Sequence, residues 1–411
     1  MSPSRDDSSD LHGRAALMPP DPDADASARG ARQGRLRFAL YLLAGGVVGA
    51  LGAAFGRSLA ASQPDWPWPS VSVPLALLAA LLTLWPNIVL HEAGHAVAGI
   101  ARGLRPVAFG IGPLRWERGR SRWRFRRGGR IGGLAGFASL LPEGERGLSR
   151  LDQMVYLAGG PIANLATAAL AFAWLPLADG SPRLAGALFG TGAGAAFLGL
   201  LNLVPFHSQG WRSDGRGLLD LLRRTPEGAL QQRIHHLLAL NMAGVRPRDW
   251  PAALLPDPVD APSSPMLAVN GDLLRLSWAM DRDDGEAAVA AARRATVAFA
   301  TLPDAVRPHA AVALAGHAAR HLRDPGLLAA WRPLCEGGVT DLSLLRAWLD
   351  AEHAALSGRA EDARTAVAAA RHLLDRAPDP VTAQLLGEYL DDLDCRLDDG
   401  VATRGKTVKG A

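Results

Sequence analysis

At 411 residues the chain is long enough for two domains, at least one with a sizeable core. Hydrophobic residues make up 48% and the formal net charge is +4, too modest to argue for nucleic acid as a partner. Only two cysteines occur, Cys335 and Cys395, which argues against a disulfide framework or a cysteine zinc site and fits a reducing compartment.

Residues 1–34 are rich in Asp, Ser, Ala and Arg and read as a disordered cytoplasmic N-terminus. No cationic stretch joined to a short apolar run opens the sequence, so a cleavable secretion signal is not expected. Four apolar segments follow, at 38–60, 71–101, 154–177 and 184–206. Each can supply the roughly 20 helical residues that cross a bilayer. Arg57 lies near the end of the first, where a long side chain can snorkel to the interface. Trp66 and Trp68 in the turn at 63–70 suit a membrane–water boundary. Gly186, Gly190, Gly194 and Gly199 along the fourth segment permit close helix packing. Arg32, Arg35 and Arg37 precede the first segment, and arginines crowd the connection 102–150, whereas loops 61–70 and 178–183 carry only Arg183. The positive-inside rule therefore puts the N-terminus, the 102–150 connection and the C-terminal half in the cytoplasm.

Between 105 and 143 the pattern changes. Alternation in PVAFGIG and RWRFR, with Gly-Gly pairs at 128–129 and 132–133, predicts short strands in hairpins. Arg115, Arg118, Arg120, Arg122, Arg124, Arg126, Arg127 and Arg130 would lie against anionic lipid headgroups or line a solvated hairpin. Residues 223–265 are Pro-rich and read as an irregular linker. Helices are expected at 270–280, 284–300, 304–322, 325–333, 341–356, 360–376 and 380–397. The segment LSGRAEDARTAVAAARHLLDRAPD has the spacing of a tetratricopeptide-like helix pair, without a clean repeat of about 34 residues. Residues 266–400 thus read as a cytoplasmic helical-repeat-like domain able to hold a protein partner, and 401–411 as a disordered tail. The expected fold class is mainly α: a polytopic membrane helix bundle of about four spans over 35–222, a short β-hairpin region, and a C-terminal soluble helical domain.

The chemistry concentrates in His91-Glu92-Ala93-Gly94-His95. On a helix, positions i and i+4 share one face, so both imidazoles can meet a single metal ion, with the intervening carboxylate beside it. The motif ends an apolar span, where ionisable groups cost several kcal/mol unless paired or metal-bound. A third donor must come from elsewhere. Asp214, in Ser213-Asp214-Gly215 after the fourth span, is at the same membrane level, and His207 is a rival. Asp214 also fits a plain turn before Gly215. His317 and His321 stand one helical turn apart without a neighbouring carboxylate and read as a packing pair, while His235 and His236 receive no metal role.

HEAGH at 91–95, AGGPIAN at 158–164, NLVPF at 202–206 and SDGRGLL at 213–219 make residues 71–222 resemble the site-2 protease family of intramembrane metallopeptidases. The resemblance implies that His91, His95 and Asp214 bind Zn²⁺ and that Glu92 is the catalytic acid/base. It implies Asn164 as the group that positions the substrate backbone or the developing oxyanion, although Asn in a span often just bonds a neighbouring helix. GGLAGFASL at 132–140 would be the strand region that pairs with an unfolded substrate. The implied activity is hydrolysis of membrane protein substrates near the cytoplasmic face of a bacterial inner or plasma membrane, as in regulated intramembrane proteolysis. One departure is HSQGWRS, inserted between Phe206 and Asp214, which could reshape the site or move the Asp away. The alternative of another class is a catalytically inactive protease-like scaffold whose helical tail recruits a cytoplasmic partner. A metal or proton transporter fits less well, because repeated halves are lacking and the spans are few.

Overall fold

The computed structural model describes residues 14–20, 58, 61–62, 70–119, 122–128, 135–142, 144–145, 147–208, 211–257 and 264–408, with backbone only from 400. Apart from Ser58, the first expected span at 38–60 lies outside the described residues. The chain divides into two compact units, one of Met1–Pro19, Leu84–Thr167 and Ala195–Ala411, the other of Pro20–Thr83 and Ala168–Gly194.

The segment expected as one span at 71–101 is two helices, α1 (Val73–Leu82) and α2 (Leu84–Ala101). Pro86 explains the break. It has no N–H to offer the Leu82 carbonyl, and its ring crowds that turn. Thr83 closes α1 instead, with both its N–H and its hydroxyl on the Ala79 carbonyl at 2.9 and 2.6 Å. The third and fourth expected spans are α3 (Arg150–Ala173) and α4 (Pro182–Leu203). Among the described residues two helices are long and apolar enough to cross a membrane, or three if the broken pair α1–α2 counts as one. Leu77, Leu81, Val97, Ile100, Leu170, Phe197 and Leu200 are exposed along these helices, which suits acyl chains rather than water.

Four antiparallel strands connect α2 to α3: β1 (Leu104–Ile111), β2 (Leu114–Arg118), β3 (Trp123–Arg127) and β4 (Gly136–Pro142), in the spatial order β3-β2-β1-β4. The expected hairpins are therefore present. On one face Leu104, Phe109, Ala138 and Leu140 pack against Ala96 of α2 and Tyr156 of α3. Glu117, Arg124 and Arg126 turn to the C-terminal helices. Glu117 accepts from the Asp341 backbone N–H at 2.7 Å and from Arg126 at 2.6 Å, Arg126 also donates to the Val339 carbonyl at 3.3 Å, and Arg124 pairs with Asp375. The headgroup reading is corrected for these arginines, and for Arg115, which is buried and donates to the Gly112 carbonyl at 3.0 Å. A carboxylate, or carbonyl oxygens, within reach outweighed solvation at each.

After α4 come a small hairpin, β5 (His207–Ser208) and β6 (Trp211–Arg212), then α5 (Asp214–Arg223) and α6 (Pro226–Met242). Helix α6 corrects the irregular linker expected there. Pro226 initiates it, and Thr225 caps it by accepting from the Gly228 N–H at 3.2 Å. Leu230, Ile234, Leu237 and Leu240 bury one helical stripe. The remaining helices are α7 (Pro265–Asp281), α8 (Gly285–Ala298), α9 (Arg307–Arg320), α10 (Pro325–Trp331), α11 (Ser343–Leu356), α12 (Ala360–Arg371) and α13 (Pro380–Val408), each within a few residues of its expected position save for the longer α13. Alanines on α8 and α9 allow close approach, while Leu327, Leu328, Trp331, Leu349, Leu390 and Leu393 fill the core. Each such leucine contributes about 1.5–3 kcal/mol. His317 is buried with them, and burial lowers its pKa to about 4, so it stays neutral and acts as a packing residue.

Helices α2 and α3 meet where neither has a side chain. A Cβ on Gly94 would lie 2.3 Å from the Gly159 carbonyl oxygen, and one on Gly159 would lie 2.4 Å from that of Gly94. Gly159→Val is therefore expected to force the helices apart, at a cost of about 1–3 kcal/mol. In detergent, its thermal midpoint should fall by about 1–4 °C, and an unchanged midpoint would contradict this packing.

Candidate metal centre

Two turns of α2 carry Asn87, His91, Glu92 and His95, all buried despite their polarity. The His91 and His95 Nε2 atoms approach to 3.2 Å, and Asp214 Oδ2 lies 3.2 Å from the first and 3.4 Å from the second. These three are the group of potential metal donors among the described residues, with ligand atoms within 4.8 Å of one another. Donors bound at about 2.0–2.1 Å in a tetrahedron are separated by about 3.3 Å, so the triangle matches one face of a tetrahedral zinc site. The His95 Nδ1–H donates to the Tyr156 carbonyl at 2.8 Å, which leaves the Nε2 lone pair facing Asp214. Gly160 of α3 lines the cradle: a Cβ there would sit 2.4 Å from His95 Nε2 and 2.7 Å from His91 Nε2. Two imidazoles and a carboxylate converging this closely, with no side chain between them, fit a divalent ion.

The insertion before Asp214 does not displace it. His207 and Ser208 pair with Arg212 and Trp211 as the β5–β6 hairpin, and Ser213 closes its base. Its hydroxyl donates to the Val204 carbonyl at 2.7 Å and accepts from the N–H groups of Phe206 and Arg216, both at 3.1 Å. The end of α4 is thus stitched to the start of α5. Gly215 is needed for this approach, since a Cβ would fall 1.9 Å from the Leu203 carbonyl oxygen. Arg212 and Arg216 then pair with buried Asp220 at 3.1 Å each, fixing the hairpin to α5. His207 sits on that hairpin and is outside the triad.

Glu92 lies beside β4, where a Cβ on Gly136 would come 3.0 Å from its Oε1. Asn164 is fully buried one turn beyond Gly160, and neither of its amide atoms has a protein partner. Sequence reasoning missed Tyr156. Its carbonyl orients His95, and its hydroxyl donates to the Ala138 carbonyl of β4 at 2.7 Å, so one residue ties the donor helix to the strand. Asn87, one turn before His91 and 1% exposed with its Nδ2 unpartnered, was also missed. The i−4 spacing from His91 is the signal that could have marked it. Gly160→Ala is expected to keep helical content but weaken divalent-metal binding at least about tenfold, because its methyl takes the space of the donors. Equilibrium dialysis checks this, and wild-type affinity would contradict the cradle geometry.

A family model described as peptidase family M50 matches residues 79–302, which is more than half of the chain and includes the donor triad. No match was found among curated proteins or solved structures. With two histidines and a carboxylate brought together by α2 and α5 within the matched region, the chain belongs to peptidase family M50, the site-2 protease family.

Proposed function

We propose that this protein is a zinc-dependent endopeptidase that hydrolyses peptide bonds of membrane protein substrates near the cytoplasmic face. The observation that carries the reading is the 3.2–3.4 Å triangle of His91, His95 and Asp214, with Glu92 buried alongside. When bound there, zinc supplies Lewis acidity at the scissile carbonyl and makes water more acidic. His91, His95 and Asp214 hold it. Glu92, buried beside the triad, takes a proton from the attacking water and returns it to the leaving nitrogen. Asn164 positions the substrate backbone or the developing oxyanion, because its buried amide has donors to give and no protein acceptor. Peptide bonds in a helix are closed by internal hydrogen bonds, so the substrate must unwind locally, and β4, the outer strand of the sheet among the described residues and beside Glu92, supplies a template for the extended form.

The bilayer reading places the helices in a bacterial inner or plasma membrane, with the arginine-rich connection and both termini in the cytoplasm. Leu17 packs on the C-terminal helices. That contact supports a reading in which the chain between them crosses the membrane an even number of times, as four spans would. The helical domain is then a cytoplasmic platform for a protein partner.

Glu92→Gln separates an enzyme from an inactive scaffold. The variant is expected to retain one zinc per chain and lose at least about 10²-fold of the cleavage rate of a co-expressed membrane substrate. Asp214→Ala and His91→Ala are expected to lose the metal itself. Cleavage undiminished in Glu92→Gln, or zinc retained in full by both ligand variants, would overturn the assignment.

A further inference from the structure

The N-terminal arm is seated on the helical domain in a way that neither the peptidase chemistry nor the fold requires. Residues 14 and 15 are helical and the chain turns over 16–18, with the Leu17 N–H on the Arg14 carbonyl at 3.0 Å. Positions i and i+3 of a helical turn share a face, so Arg14 and Leu17 project together. Leu17 is 4% exposed and joins the core, whereas Arg14, Ala15, Ala16 and Met18 around it are exposed. Its carbonyl accepts the indole N–H of buried Trp331 at 2.9 Å. Arg14 presents its guanidinium fork to Asp324, with contacts of 2.6 and 2.8 Å. Asp324 is held in place for this, since the same carboxylate caps α10 by accepting from the Leu327 N–H at 2.9 Å.

The receiving surface therefore reads three features at fixed spacing. A carboxylate selects a guanidinium, an indole donor selects a backbone carbonyl, and an apolar socket selects a leucine-sized side chain. Among the described residues of the arm only the Leu17 side chain is buried, and Pro19 and Pro20 end the turn just beyond it. That is the footprint of a short linear ligand rather than of a core element. Attachment in cis gives the arm a high local concentration, so it fills the site without needing strong intrinsic affinity.

We propose that the Asp324–Trp331 pocket is a recognition site for Arg-x-x-Leu turns, closed in cis by Arg14–Leu17, and that a partner protein presenting the same turn opens it by displacing the arm. The inference extends the partner-platform reading of the helical domain and is independent of the peptidase assignment.

The test uses full-length protein in detergent and a labelled synthetic peptide of residues 12–20. In the double variant Arg14→Glu/Leu17→Asp, whose own arm is unseated, the peptide is expected to bind saturably and at least about tenfold more tightly than to wild type. Adding Asp324→Asn, which keeps the cap but removes the charge, or Trp331→Phe, which removes the indole donor, is expected to weaken that binding at least about tenfold. Excess peptide added to wild type should speed hydrogen exchange at residues 15–18 while leaving α11 and α13 protected. Absent binding, equal affinity for wild type and the double variant, insensitivity to Asp324→Asn, or unchanged exchange under excess peptide would overturn the proposal. So would loss of helical-domain structure in the double variant, which would make the arm part of the core. None of these outcomes bears on zinc retention or on cleavage by Glu92→Gln.

Discussion

Three donor atoms from two distant parts of the chain must come within 3.4 Å of each other at the end of an apolar helix, and the space for that is made by removing side chains. Gly94 and Gly159 let α2 and α3 touch backbone to backbone, Gly160 leaves the volume into which the two imidazoles point, and Gly215 lets the first turn of α5 lie against the end of α4. A burial penalty of several kcal/mol for ionisable groups in such surroundings is offset only if all of them converge on one partner. The rest of the architecture serves that convergence. Ser213 joins α4 to α5 with three hydrogen bonds from one hydroxyl, so the approach of Asp214 depends on a local stitch rather than on the length of the preceding loop.

The sheet is coupled to the centre on one face and to the helical domain on the other. Tyr156 links the orientation of His95 to the Ala138 carbonyl of β4, and Glu92 lies against the first residue of that strand. Two and three strands away, Glu117 of β2 and Arg124 and Arg126 of β3 reach Asp341, Asp375 and the Val339 carbonyl. A movement of the helical domain relative to the sheet would be felt at β4 through a continuous set of backbone hydrogen bonds. The same helical domain holds the N-terminal arm, so both ends of the chain act on one body.

The HEAGH motif and the apolar helices α1 to α4 were legible because each is a local pattern. Spacing at i and i+4 dictates a shared helix face, and hydropathy dictates span positions. Most C-terminal helices were legible for the same reason. What could not be read depended on tertiary partners. The break at Thr83 follows from Pro86 acting one turn back, inside a run that hydropathy treats as uniform. Helix α6 was hidden because Pro226 looks like an interruption until it is recognised as a first-turn residue. The arginines of β2 and β3 carry the same charge in the sequence, yet Arg124 and Arg126 find acidic or carbonyl partners more than two hundred residues away. Tyr156 has no signature of its own, since it matters only for what the opposing helix places against it. The tether formed by Leu17 is of the same kind: one buried residue among exposed neighbours, meaningful only beside Trp331.

Zinc-edge X-ray absorption on the purified full-length protein tests the central geometry most directly. The account predicts a first shell of nitrogen and oxygen only, at about 2.0–2.2 Å, with the multiple-scattering signature of two imidazoles that falls to one in His95→Ala. A first shell containing sulfur at about 2.3 Å, or one that lacks imidazole, would contradict the convergence of His91, His95 and Asp214 on a single ion.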